Sequence, residues 1–125
     1  MKKFDKTHVS EIIEFNNIEC SRRNESFGVN TELLLEIINK VNELSNILDD
    51  NERTLRQAST FWGLVVFRQP FNNANKSTAT AVAIDFLHSN GFQINVSDIK
   101  IQTELLGILE NIMYLFEDES EKGIH

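Results

Sequence analysis

The residues with the most chemistry in their types and spacing run from 68 to 79, as Arg-Gln-Pro-Phe-Asn-Asn-Ala-Asn-Lys-Ser-Thr-Ala. Asn72, Asn73, Asn75, Lys76, Ser77 and Thr78 stand where a polar loop runs into a helix. A helix that starts there turns its first backbone N–H groups and the positive end of its dipole toward the loop, which suits an anion. Asparagine is also an ordinary loop and cap residue, because its amide bonds nearby backbone groups. The three asparagines alone therefore do not decide between a binding loop and a plain connection.

Helical patterns on both sides must position this loop. Val9, Ile12, Ile13 and Phe15 predict a first helix over residues 9–18, with Asp5 or Thr7 as its N-cap. Residues 21–28 are polar and end in glycine, a loop signal. Asn30 or Thr31 should cap a second helix whose stripe is Leu34, Ile37, Ile38, Val41, Leu44 and Leu48. Residues 49–52 break the pattern and read as a solvated acidic loop. Leu55, Ala58, Phe61, Trp62 and Val65 mark a third helix reaching Arg68, where Pro70 disfavours helical geometry at Gln69. A fourth helix starts near Asn75, carries Ala79, Val82, Ala83, Phe86 and Leu87, and stops at Asn90-Gly91. Ser97 or Asp98 opens a last helical region with Leu105, Leu109, Ile112, Met113 and Phe116, which Gly107 divides. The expected fold class is all-α in a single domain over residues 1–125, the last few residues forming a flexible tail.

Composition narrows the function. With 125 residues, 41% of them hydrophobic and nine of them Phe, the chain can bury a modest core. One Pro and five Gly favour long helices over many strands. A net charge of −7 is the wrong sign for broad capture of nucleic acid or an anionic membrane. Cys20 is the single cysteine, which leaves no disulfide framework or thiolate cluster and suits a reducing cytoplasm. Met1-Lys2-Lys3 begins like a signal peptide, but Asp5, Lys6 and Glu11 fall where an apolar run is needed. No nucleic-acid or membrane partner is expected; exposed Phe or Leu faces would serve a homo-oligomer. Asn75-Lys76-Ser77-Thr78 looks like the end of a Walker A loop, yet residues 69–76 lack the glycines that let backbone wrap phosphates.

The pattern Pro70-Phe71-x-x-Ala74-Asn75-Lys76-x-Thr78-Ala79, on a helix closing with Phe86, Leu87, Asn90 and Gly91, resembles the signature loop of the Fic/Doc (death-on-curing) family. That signature is His-x-Phe-x-(Asp/Asn)-(Gly/Ala)-Asn-Lys-Arg. The resemblance extends to the helix before Phe71, the Ser26-Phe27-Gly28 turn ahead of Leu33-Leu34, and the Asn90-Gly91-Phe92 exit. It implies a compact Fic/Doc-like helical bundle of about six helices, similar to short Doc-type members. It also implies transfer of a nucleotide or phosphate from ATP to protein hydroxyls.

By the same resemblance, Phe71 anchors the loop in the core, and Ala74, Asn75, Lys76 and Ser77 are the nucleotide- or phosphate-binding positions. The catalytic positions are not intact. Gln69 stands where the family has its histidine base, and an amide accepts no proton near neutral pH. Asn73 stands at the position that helps hold Mg²⁺, where a neutral amide is a weaker ligand than a carboxylate. Ser77 replaces the phosphate-gripping arginine and has neither its charge nor its fork.

The expected function is therefore a degenerate, catalytically impaired member that binds rather than transfers. ATP and Mg²⁺ would bind weakly or not at all. The protein partner implied is an antitoxin peptide or a target protein in a toxin–antitoxin setting. The alternative is an active toxin that draws its base from elsewhere, and whether the chain is an enzyme stays open. His88 and Asp85 lie about 18 and 13 Å along the fourth helix from its start, too far to serve. His8 and His125 sit near the termini, Arg68 reads as a helix-end charge, and Asp49 and Glu52 lie where the family often places a flap.

Overall fold

The centre of the molecule is aromatic. Phe4 stacks on Phe61 with ring centroids 4.9 Å apart and meets Phe86 at 4.4 Å, and all three side chains are fully buried. The computed structural model describes residues 1–93. Within them lie four helices: α1 (Val9–Arg23), α2 (Thr31–Asn42), α3 (Asp50–Arg68) and α4 (Asn75–Ser89). Two short 3₁₀ turns, Lys6–His8 and Glu43–Asn46, precede α1 and follow α2. The architecture is all-α and compact. Among the described residues, extended pairing is limited to one isolated bridge between Val29 and Phe71, and no helix is long and apolar enough to cross a membrane. The last helical region expected from residue 97 onward, its Gly107 break and the tail lie outside the described residues.

Side chains cap the 3₁₀ turn before α1 and the starts of α2 and α3, whereas the N-caps of α1 and α4, His8 and Ala74, make no side-chain bond. Asp5 accepts from the Thr7 N–H at 2.9 Å and caps the turn leading into α1. Asn30 caps α2 through the Leu33 N–H at 3.1 Å, and Asp49 caps α3 through the Glu52 N–H at 2.8 Å. Residues 50–52 are thus the first turn of α3 and not the loop expected. Their negative charge belongs there, because the helix N-terminus is electropositive.

Two further boundaries differ from expectation. α1 runs through Ser21, Arg22 and Arg23 and stops at Asn24 in the left-handed conformation (φ 57°). Arginine is a good helix former and its charge favours a helix C-terminus, so those polar residues extend the helix. The stripe of α2 is buried at Leu34, Ile37, Ile38 and Val41, but Leu48 is 96% exposed. The 3₁₀ turn at Glu43–Asn46 and the extended Ile47 break the helical phase before Leu48 is reached.

The third and fourth helices bury the stripes expected of them. α3 buries Ala58, Phe61, Trp62 and Val65, and α4 buries Ala79, Val82, Ala83, Phe86 and Leu87. Gly91 closes α4 with φ 90°, and the Phe92 N–H reaches back to the Leu87 carbonyl at 3.0 Å.

Candidate functional site

Gln69 ends α3 in the left-handed conformation, with φ 52° and its N–H on the Val65 carbonyl. Pro70 follows and cannot continue a helix. Phe71 then drops into the core at 3% exposure. The Asn30 N–H donates to the Pro70 carbonyl at 2.7 Å, and the Asn72 N–H donates to the Gly28 carbonyl at 2.9 Å. These bonds stitch the loop after α3 to the loop before α2.

Asn75 holds the turn shut. Its Oδ1 accepts from the Phe71 N–H at 3.0 Å, and its Nδ2 donates to the Phe71 carbonyl at 2.8 Å. One amide thereby satisfies both backbone groups of a buried residue, which would otherwise cost about 1–3 kcal/mol each. With that amide committed, no side chain caps the first turn of α4. The N-cap residue is Ala74, itself left-handed at φ 60°, so the cap position carries only a methyl group.

A second tether comes from α1. Asn16 is fully buried, and its Nδ2 donates to the Asn73 carbonyl at 2.9 Å and to Thr78 Oγ1 at 3.0 Å. The Cys20 thiol, one turn further on, lies 3.6 Å from Asn16 Oδ1 and 3.9 Å from the Asn73 carbonyl. Burial pushes the Cys20 pKa above its ordinary value. Asn73 adds a third link, donating from Nδ2 to the Ser26 carbonyl at 2.9 Å and to Ser26 Oγ at 3.2 Å.

The residues singled out in the sequence are gathered at this corner. Ala74 to Ser77 form the start of α4; Ser77 Oγ donates back to the Ala74 carbonyl at 3.3 Å. Lys76 is exposed, with Nζ 6.0 Å from the centroid of the Trp62 ring. Trp62 Nε1 in turn donates to Thr80 Oγ1 at 3.1 Å. Gln69 is exposed on the α3 side. Asp49 and Glu52 do not approach: they sit at the opposite end of α3, about 28 and 24 Å from Arg68 along the helix. The segment over the loop is instead 26–30. His8 faces Asp5 at 3.1 Å. Asp85 and His88 line the same groove as Lys76 but lie toward the far end of α4.

That groove, about 710 Å³, separates α1 from α4 and is lined by Glu19, Arg22, Arg23, Lys76, Ser77 and Ile84 among others. Its volume is of the size that takes a small molecule. The donors near the loop suit an anion better than a resident divalent cation. The Asn73 amide is neutral and tied to Ser26, and among the described residues no group of three or more His, Cys, Asp or Glu is placed to hold a metal. Mg²⁺ prefers carboxylate and phosphate oxygens. Asn16, Arg22 and Arg23 were not marked out by sequence motifs, and Ser26 was marked only as part of a turn, not as a partner of the loop. The signal for Asn16 was its place in the i, i+4 series Ile12, Asn16, Cys20.

Comparison with family models, with curated proteins and with solved structures gave no match.

Two predictions arise here. Ala74→Gly removes a Cβ from a left-handed position and should stabilise the fold by about 0.5–1 kcal/mol, read as a higher urea midpoint with unchanged slope. A lower midpoint would mean that the left-handed geometry is not kept in solution. Cys20 should resist iodoacetamide at pH 8 and react fully in denaturant, as counted by mass. Its raised pKa favours the protonated thiol in the folded state, so this contribution to stability falls as pH rises past the unfolded thiol range near about 8.5.

Proposed function

We propose that this chain is a Fic/Doc-like protein whose loop, residues 69–77, receives a phosphate or nucleotide and which acts by binding rather than by group transfer. The observation that carries the reading is the pairing of Asn75 with Phe71. It locks the turn and spends the amide of Asn75, so that no side-chain hydrogen bond caps the first turn of α4, which carries Lys76. An anion there would meet backbone donors, the helix dipole and one ammonium group.

The same geometry supports weak chemistry. By the family resemblance Gln69 stands where the base would be and has only an amide to offer, whereas a positioned base is worth roughly 10² to 10⁴ in rate. Bound ATP would bring the transferable phosphate, and the residues here would orient it without taking a proton from an acceptor hydroxyl. A toxin–antitoxin-type role, in which the protein is held by an antitoxin peptide or holds a target, is consistent with that.

Isothermal titration of the folded protein with ATP, with and without Mg²⁺, tests the binding half. Heat that disappears in Lys76→Ala supports the reading, and none at millimolar ATP rejects it. Incubation with labelled ATP and lysate tests the other half. Label transferred to a protein, and lost in Asn75→Ala, would replace this proposal with an active transferase.

A further inference from the structure

We propose that Arg22 and Arg23, in the last turn of α1, form the cationic wall of the α1–α4 groove and grip the phosphate received at the start of α4. They would thereby supply the guanidinium groups that Ser77 lacks. The inference rests on the loop reading above and adds to it residues from outside the loop.

Three observations lead to it. First, both arginines line the groove together with Lys76 and Ser77, so α1 contributes two arginines to the same space that the first turn of α4 borders, a space sized for a small ligand. Second, the two carboxylates in the groove are each engaged. Glu19 Oε1 meets Arg22 Nη1 at 3.0 Å, and Asp85 Oδ2 meets the Met1 ammonium at 2.7 Å. Arg22 has five N–H donors, and its contact with Glu19 uses one nitrogen. Arg23 stands 3.7 Å from Glu25, which is outside the groove lining.

Third, the register of α1 is fixed from within the loop. Asn16 bonds both Asn73 and Thr78, and Arg23 lies seven residues, about two turns, further along the same helix. The arginines therefore cannot slide relative to α4 without breaking buried bonds. Guanidinium forks pair with phosphate oxygens two at a time, which a lysine cannot do. A competing account treats Arg22 and Arg23 only as charges that favour a helix C-terminus. It predicts no effect on ligand binding.

Trp62, the single tryptophan, lies beside Lys76 and can report on occupancy. The full chain is titrated with ATP and, separately, with tripolyphosphate while Trp62 fluorescence is followed. Arg22→Ala with Arg23→Ala should weaken binding of both ligands by roughly 10- to 100-fold, the scale of charge-assisted bonds. Glu19→Gln should tighten it several-fold by releasing Arg22. Adding Ser77→Arg to the double variant should recover most of the loss. A urea transition matching the parent's shows that the variants are folded. If Lys76→Ala weakens binding while the arginine variants and Glu19→Gln bind like the parent, the inference is wrong and the loop reading stands. If the parent binds neither ligand, the loop reading fails and the arginine wall falls with it.

Discussion

Asn16→Asp is expected to destabilise the fold by about 3–5 kcal/mol at pH 7 and by much less near pH 4. Asn16 is fully buried and donates to two oxygens, the Asn73 carbonyl and Thr78 Oγ1. A carboxylate in its place has no donor for the carbonyl and carries charge into an apolar interior. Buried carboxyls shift upward by as much as roughly 3–5 units, at about 1.36 kcal/mol per unit. The sign follows from that direction. With the folded pKa above the unfolded value of about 3.9, the variant holds its proton more tightly when folded. Its stability is therefore fullest below that value and drains away as pH rises, until the folded pKa is passed.

The protonated acid also keeps one O–H donor for Asn73, which is why the low-pH form is nearly tolerated. Against a total stability of about 5–15 kcal/mol, this loss can unfold the chain. Urea transitions of parent and variant at pH 4.5 and pH 7.5 provide the check. Asn16→Leu serves as the uncharged comparison and should cost about 2–3 kcal/mol with no pH dependence. An Asn16→Asp curve that tracks the parent at both pH values would show that Asn16 does not tether the loop in solution.

That tether marks the boundary of what could be read from residue order. The stripes of α3 and α4, and most of that of α2, were legible because apolar residues recur every three or four positions over several turns. The cap at Asn30 was visible in residue order, and so was the stop at Gly91; Asp5 was marked as a cap but serves the 3₁₀ turn before α1, and Asp49 was read as loop although it caps α3. Helix ends built from polar residues were not. Ser21-Arg22-Arg23 and residues 50–52 look like loops by composition, yet the helix dipole and helix propensity make them last and first turns. Leu48 was misplaced because a periodic pattern does not reveal where an α-helix tightens into 3₁₀ geometry. At the candidate site, the polar loop running into a helix was apparent from residue order, while the burial of Phe71 was implied only by the family resemblance. The bonds that fix the loop come from Asn16, Ser26, Gly28 and Asn30, forty or more residues away in sequence. Such pairings leave no local trace: the Ile12, Asn16, Cys20 series signals that Asn16 lies on a buried face, but not which groups it bonds.

Rebuilding the loop chemistry should have the largest functional consequence. Gln69→His with Ser77→Arg is expected to raise transfer of label from ATP to protein by roughly 10² or more over the parent, the span of a positioned base. Both positions can take the change. Gln69 is exposed and left-handed at φ 52°, a conformation that histidine enters more readily than most residues. Ser77 gives up only a 3.3 Å bond to the Ala74 carbonyl, and it borders a groove with room for a long side chain. Asn73→Asp is different. It would supply the carboxylate that a divalent cation prefers, but it removes the Nδ2 donor held by Ser26 at 2.9 and 3.2 Å. The triple variant should therefore be about 1–2 kcal/mol less stable than the double, the cost of an unmade hydrogen bond, even while its transfer is faster. Label transfer and urea midpoints measured on the same preparations separate the two effects. If the double and triple variants stay folded and neither transfers label above the parent's level, the impairment lies outside residues 69–77. The proposal that position 69 is the missing base would then be abandoned.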